Sequence, residues 1–281
     1  MRSKALSLLK ATVQAWSDDY APSMGAALAY YTLFSIAPLL LIVIAVAGIA
    51  FGEQAARGEI FEQLNALMGP DGAAAVESLL AHANRPGGGT IATITGVVTL
   101  LLGAMTVFGE LQNALDRIWR APARKQSTGW WNLVRTRVLS FGMILGIAFL
   151  LMVSLVVSAA LSALDGLWGA HLIDTAASFA LTTVLFALIY KVIPRVKVRW
   201  RDVWIGACAT AALFAVGKFL IGLYLGRSSV ASAFGAAGSL VVMMVWVYYS
   251  AQIFLLGAEL TWVYAHAYGS RRGEPRPGAR P

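Results

Sequence analysis

Ala29-Tyr30-Tyr31-Thr32-Leu33-Phe34-Ser35-Ile36-Ala37-Pro38-Leu39-Leu40-Leu41 sits inside a run of 33 residues, 20–52, without a charged side chain. About 20 apolar residues cross the hydrocarbon core of a bilayer, so the run predicts a membrane-spanning helix. Its interior is unusual, because two tyrosines, a serine and a proline occupy depths where leucine would cost less. A polar first helix kinked at Pro38 points to a packed bundle interior or to a path along which something moves.

The remaining charge-free windows extend the reading. They cover 86–109, 138–164, 175–190, 203–217, 219–226 and 228–258. Together they predict six helices over Met24–Phe51, Thr90–Gly109, Val138–Ala163, Leu172–Ile193, Val203–Leu225 and Gly238–Val263. The window 175–190 spans only about 24 Å as a helix, so Lys191 is expected to snorkel to complete it. The expected fold is all-α: a polytopic membrane protein of six transmembrane helices with short amphipathic interfacial helices. Composition agrees, with 58% hydrophobic and 13% charged residues, more apolar surface than a soluble domain can use. The first span is too long for a cleavable signal, and acidic Asp18 and Asp19 precede it. Cys208 is the one cysteine, which excludes an intrachain disulfide.

Orientation follows from the basic residues. Eighteen fall on one side of the predicted spans: near the N-terminus, between spans two and three (Arg117–Arg137), between spans four and five (Lys191–Arg201), and after Ser270. The other side holds only Arg57, Arg85 and Arg227, with Lys218 inside span five. The positive-inside rule places both termini in the cytoplasm. The net charge of +8 then belongs to loops that meet anionic lipid headgroups, and no nucleic acid is expected. Trp119, Trp130, Trp131 and Trp200 stand at span ends, as in an interfacial belt.

The predicted organisation is an N-terminal cytoplasmic amphipathic segment over 1–23, a six-span domain over 24–265, and a disordered cytoplasmic tail over 266–281. Inside the membrane domain, the external segment 52–89 reads as two short amphipathic helices broken at Gly69-Pro70-Asp71-Gly72. They would lie on the outer membrane surface or cap the bundle. A further apolar stripe, Leu111, Ala114, Leu115, Ile118 and Trp119, predicts a helix that leaves the membrane and ends before Pro122. Gly142/Gly146 and Gly222/Gly226 have the small-xxx-small spacing of close helix packing.

Soluble-style catalytic constellations are lacking. His82, His171 and His266 have no second ligand at metal-binding spacing, and no phosphate-binding loop or nucleophile elbow occurs. No enzyme activity, cofactor or metal is expected. Asp18-Asp19 reads as a helix N-cap. Polar groups inside the spans are the functional candidates. Gln252 and Glu259, seven residues apart, project from one face of span six. Tyr30, Tyr31 and Ser35 come to similar depths on span one, with Pro38 above them. These six form an expected polar lining in the inner leaflet. The competing reading has Glu259 paired with a surface arginine and the tyrosines in the belt. Lys218 is a candidate outer-leaflet cation, either snorkelling outward or turned inward toward a phosphate or Asp174.

Three motifs carry a resemblance. Ala27-Leu28-Ala29-Tyr30-Tyr31-Thr32-Leu33-Phe34-Ser35-Ile36-Ala37-Pro38-Leu39-Leu40 resembles the signature of the YihY/BrkB family of bacterial inner-membrane proteins. Phe234-Gly235-Ala236-Ala237-Gly238-Ser239-Leu240, with Trp246-Val247-Tyr248-Tyr249-Ser250-Ala251-Gln252-Ile253 and Gly257-Ala258-Glu259-Leu260, is similar to that family's last span. Leu111-Gln112-Asn113-Ala114-Leu115-Asp116-Arg117-Ile118-Trp119 resembles its helix after span two. The resemblance covers about residues 10–265 and implies a six-span protein of the bacterial inner membrane. One member's name refers to serum resistance in a pathogen, and an older family label is ribonuclease BN, a tRNA-processing enzyme. A ribonuclease needs metal ligands or an acid–base pair that the basic loops here do not offer. Transport or handling of a lipid or other envelope amphiphile is the favoured expectation, with a scaffold or interaction protein as the alternative. Expected partners are membrane lipids, anionic headgroups at the basic loops, and a second copy or an envelope protein.

Overall fold

The computed structural model describes residues 2–83, 106–122, 170–227 and 238–272. The described residues form helices and connecting turns, with no strand among them. The helices are α1 (Arg2–Asp18), α2 (Ala21–Phe51), α3 (Glu53–Ala83), α4 (106–118), α5 (Ala170–Val192), α6 (Trp200–Arg227) and α7 (Gly238–Ala267). Three of them hold stretches long and apolar enough to cross a membrane: Thr175–Val192, Trp200–Ile221 and Leu240–Ala267. Of the expected spans two and three, only 106–109 falls within the described residues, as the start of α4.

Helix α1 turns into α2 over one residue in the left-handed region, Tyr20 (φ 57°, ψ 38°). No side chain caps α2; its Ser23 and Met24 N–H groups donate to the Tyr20 carbonyl. The N-cap role expected of Asp18-Asp19 is therefore corrected, because the Asp19 carboxylate is engaged elsewhere. Pro22 fits the first turn, where its missing N–H costs nothing. One face of α1 (Leu8, Ala11, Thr12, Ala15) packs on the bundle, while Leu6, Leu9 and Val13 stay exposed in a second apolar stripe. That two-faced pattern suits a helix lying at a membrane surface.

Helix α2 ends at Gly52, whose positive φ of 86° lets its N–H reach back to the Gly48 carbonyl at 2.9 Å. The chain then doubles back. Helix α3 is broken at Gly69 (φ 79°, ψ 174°) ahead of Pro70. Its second half buries Ala75, Val76 and Leu80 against Leu40 and Ile44 of α2 and Met243 of α7. Segment 53–83 is thus folded against the spans and is part of their packing.

The larger core joins α1, α4, α5, α6 and α7 around Leu115, Ile118, Trp119, Tyr190, Val203, Leu255 and Ala258. Lipid is as apolar as leucine, so helices in a bilayer associate through close backbone approach and polar contacts. The α6–α7 seam has both. Thr210 Oγ1 donates to the Gly206 carbonyl and Thr261 Oγ1 to the Gly257 carbonyl, each at 2.7 Å. Across the seam each glycine faces the other helix's threonine: a Cβ at Gly206 would strike Thr261, and one at Gly257 would strike Thr210. Gly142, Gly146, Gly222 and Gly226, the pairs suggested by spacing, lie outside the residues whose packing is described.

The α5–α6 turn is clamped by α4. Gln112 Nε2 donates to the Ile193 carbonyl (3.1 Å), and Asp116 accepts from the Arg195 backbone N–H (2.9 Å) and pairs with its guanidinium (3.2 Å). Lys191 donates to the Val198 carbonyl and lies over the Trp200 ring. Lys191 thus finds both a carbonyl and a π face at the end of α5.

Candidate functional site

Two polar places stand out in this bundle. The first is a cavity of about 490 Å³ walled by α2, α3, α4, α5, α6 and α7. Its walls are mostly apolar (Leu28, Leu111, Leu185, Phe186, Phe214, Phe254), with Thr32, Ser178, Thr182 and Ser250 between them. Lys218 is the one charged side chain among the described lining residues. Gln63 of the doubled-back α3 also reaches the cavity, where it donates to Glu59 at 3.1 Å. A volume of this size suits a small ligand, and an apolar wall with few polar points is the usual chemistry of such sites.

The second place is at the other end of the bundle. Glu259 of α7 is fully buried, and the Asp19 carboxyl is the one side chain among the described residues close enough to share a proton with it. Its charged neighbours are Asp19, Arg120 and Asp18. Arg120 follows α4 at a left-handed position (φ 49°), which turns the chain back so that its guanidinium meets Asp19 at 3.5 Å. The same guanidinium lies 4.9 Å from the centre of the Trp262 ring. Glu259 and Asp19 therefore share one arginine that stacks on an indole, with Asp18 as a further acid nearby.

The sequence-predicted lining residues are distributed between several surroundings. Gln252 donates to the Pro22 carbonyl at 3.4 Å and fills the space beside Gly25, where an added Cβ would collide with its amide. Ser35 is buried and returns its hydroxyl to the Tyr31 carbonyl at 2.9 Å. Tyr30 is 53% exposed and makes edge contacts with Tyr31 and Phe34. The side chain of Pro38 lies outside the described residues, and α2 runs as one helix through that position. Lys218 lines the large cavity, whereas Tyr30, Tyr31, Ser35, Gln252 and Glu259 do not. The side chain of Asp174, its suggested partner, also lies outside the described residues.

Sequence reasoning missed Asp19, Arg120, Thr182 and Gln63. Asp19 and Arg120 are each flanked by ordinary loop residues, and nothing local shows that α1 and α4 end side by side. The left-handed residues Tyr20 and Arg120 bring them together, and neither is glycine, so no composition signal marks the turns.

Comparison with known proteins adds a family. The model of the virulence factor BrkB family matches residues 12–280. A UPF0761 membrane protein of Pseudomonas paraeruginosa is 28% identical over 92% of this chain and 63% of its own length. One of Pseudomonas aeruginosa is 29% identical over 86% of the chain and 59% of its own length. One of Xanthomonas campestris pv. campestris is 30% identical over 86% and 57%. The chain spans about three fifths of the length of the curated relatives it matches. No solved structure matches it.

Proposed function

The chain belongs to the virulence factor BrkB family, whose relatives are named membrane proteins, and from that premise we propose that it binds and handles a lipid or other envelope amphiphile. The observation that carries this reading is the cavity with apolar walls and a single lysine. Acyl chains need an apolar surface, and an anionic head needs one cation that lipid would otherwise leave unmatched. In this reading Lys218 is turned to the cavity and pairs with a phosphate or carboxylate, while Thr32, Thr182 and Ser250 give hydroxyls along the way.

The reading carries six spans in a bacterial inner membrane with both termini in the cytoplasm. Helix α2 supports it, because its 31 residues hold no charge. Cysteines placed one at a time in a Cys208→Ser background test the topology. Gln54→Cys is expected to react with an impermeant reagent from outside, and Lys10→Cys and Arg272→Cys are not. External labelling of Arg272→Cys would overturn this orientation.

The ligand is tested by extracting the protein in mild detergent and measuring retained amphiphiles by mass spectrometry. Lys218→Glu is expected to lower retention roughly tenfold, the weight of one charge-assisted contact. Ala251→Trp, which fills the cavity from α7, should abolish it. Equal retention by both variants and the parent would remove the cavity from the proposal.

A scaffold reading is favoured by one observation: α2 and α7 are locked together where Gln252 fills the space beside Gly25, leaving Tyr30 outward-facing. It predicts that plugging the cavity leaves the cellular phenotype intact.

A further inference from the structure

A separate pocket of about 270 Å³ opens where α6 begins and α7 ends. Arg199 and Arg201 line it, together with Tyr264 and Tyr268. Neither arginine enters an ion pair among the described residues. The lining's one acid, Asp202, is held by Ser270: its carboxylate accepts from the Ser270 N–H and from the Ser270 hydroxyl at 2.5 Å. Gly269 permits that close approach, since a Cβ there would strike the same carboxylate. Two arginines and one serine-bound carboxylate thus line the pocket, which leaves its lining net positive.

The surroundings identify what would enter. Ile205, one turn into α6 from Arg201, lines the pocket and is exposed, and Trp200 and Trp204 stand exposed beside it. Both indoles and both tyrosines belong to the layer where amphipathic rings sit at headgroup level. Arginine forks match phosphate oxygens with two parallel hydrogen bonds, and tyrosine hydroxyls add further donors. Basic pockets beside spans are a known chemistry for lipid headgroups.

We infer that this pocket is a discrete binding site for the phosphate headgroup of an anionic glycerophospholipid, with the acyl chains running over Ile205 and Trp204. Arg199 and Arg201 hold the phosphodiester, and Tyr264 and Tyr268 close its sides. The site shares no lining residue with the Lys218 cavity and uses the first turns of α6 rather than its second half: it selects a resident lipid of the surrounding leaflet and does not depend on a transported ligand.

Its test uses the full chain in neutral detergent, with phosphatidylglycerol, phosphatidylcholine or inorganic phosphate added and bound lipid counted by native mass spectrometry. Phosphatidylglycerol is expected to bind about tenfold tighter than phosphatidylcholine, and Arg199→Ala/Arg201→Ala to lose that margin. Lys4→Ala/Lys10→Ala removes the same charge from α1 and should stay within about twofold of the parent. If the alanine pair fails to fold, Arg199→Lys/Arg201→Lys keeps the charge and should still weaken binding about threefold, because a point charge replaces a fork. Equal losses in the α1 control, or full affinity in the lysine pair, would reduce the effect to general surface charge and overturn the site. Binding of inorganic phosphate without phosphatidylglycerol would overturn the lipid assignment. Failure of the Lys218 experiment leaves all of these outcomes unchanged.

Discussion

Gly257→Leu is expected to leave almost no folded protein to extract, the largest loss from a single substitution in the described bundle. A Cβ at Gly257 would already overlap Thr210 Oγ1 and come within 2.6 Å of the Tyr190 hydroxyl. Neither neighbour can yield. Thr210 is held by the Gly206 carbonyl at 2.7 Å and by the Tyr190 hydroxyl at 3.0 Å. Tyr190 is fully buried and donates to the Phe254 carbonyl at 2.7 Å. Overpacking a fitted contact costs about 1–3 kcal/mol for a few added carbons, so Gly257→Ala should lower the unfolding midpoint and leucine should prevent the seam from closing. Thr210→Ala combined with Gly257→Ala should recover only part of the loss, since it removes the Oγ1 overlap but leaves the Tyr190 hydroxyl at 2.6 Å and the residue-210 Cβ at 2.9 Å. Thermal unfolding of purified protein in detergent checks both. A Gly257→Leu protein that melts with the parent would show that α6 and α7 do not meet here.

Arg120→Ala is expected to be nearly as damaging, for an electrostatic reason. It removes the partner of Asp19, whose side chain is only 12% exposed against 28% for the arginine, and takes the cation from beside fully buried Glu259. Breaking a buried pair costs about 3–5 kcal/mol, and the arginine's partial exposure points to the lower end, about 3 kcal/mol. The lost stacking on Trp262 adds to it. Arg120→Lys should retain part of the stability, because the charge stays and the planar fork is lost. The sharper outcome concerns Glu259→Gln. In the parent it should be tolerated, since the glutamine amide can donate to Asp19 as a carboxyl O–H would. In the Arg120→Ala background it should restore part of the stability, because the amide can donate to the Asp19 carboxylate that has lost its cation, while Glu259→Leu restores less. An Arg120→Ala protein within about 0.5 kcal/mol of the parent, the range of an ordinary surface change, would show the cluster to be solvated.

Four of the six helices expected from sequence fall within the described residues, and these came close to their observed ends. Met24–Phe51 became Ala21–Phe51, Leu172–Ile193 became Ala170–Val192, and Gly238–Val263 became Gly238–Ala267. The physical reason is simple: a charge inside hydrocarbon is expensive, so uncharged windows mark helices without any knowledge of their neighbours. The family was equally legible, because its motifs are local strings such as Ala29-Tyr30-Tyr31-Thr32-Leu33-Phe34 and Gly257-Ala258-Glu259-Leu260.

Which face of each helix turns inward was decided only by tertiary structure. A span is apolar toward lipid and apolar toward its partners, so periodicity cannot separate Tyr30, which is outward, from Thr32, which lines the cavity. For the same reason the spacing of Gly206 and Gly257 from Thr210 and Thr261 says nothing until the two helices are laid together. Asp19 and Arg120 are 101 positions apart, and their pairing follows from two left-handed turns at non-glycine residues. Segment 53–83 reads as two amphipathic helices that lie on the outer surface or cap the bundle, and the packing of Ala75, Val76 and Leu80 on Leu40, Ile44 and Met243 shows only in the folded chain. Local chemistry determined that this chain enters a membrane; the cavity, the buried acid and the phosphate pocket exist only where distant segments meet.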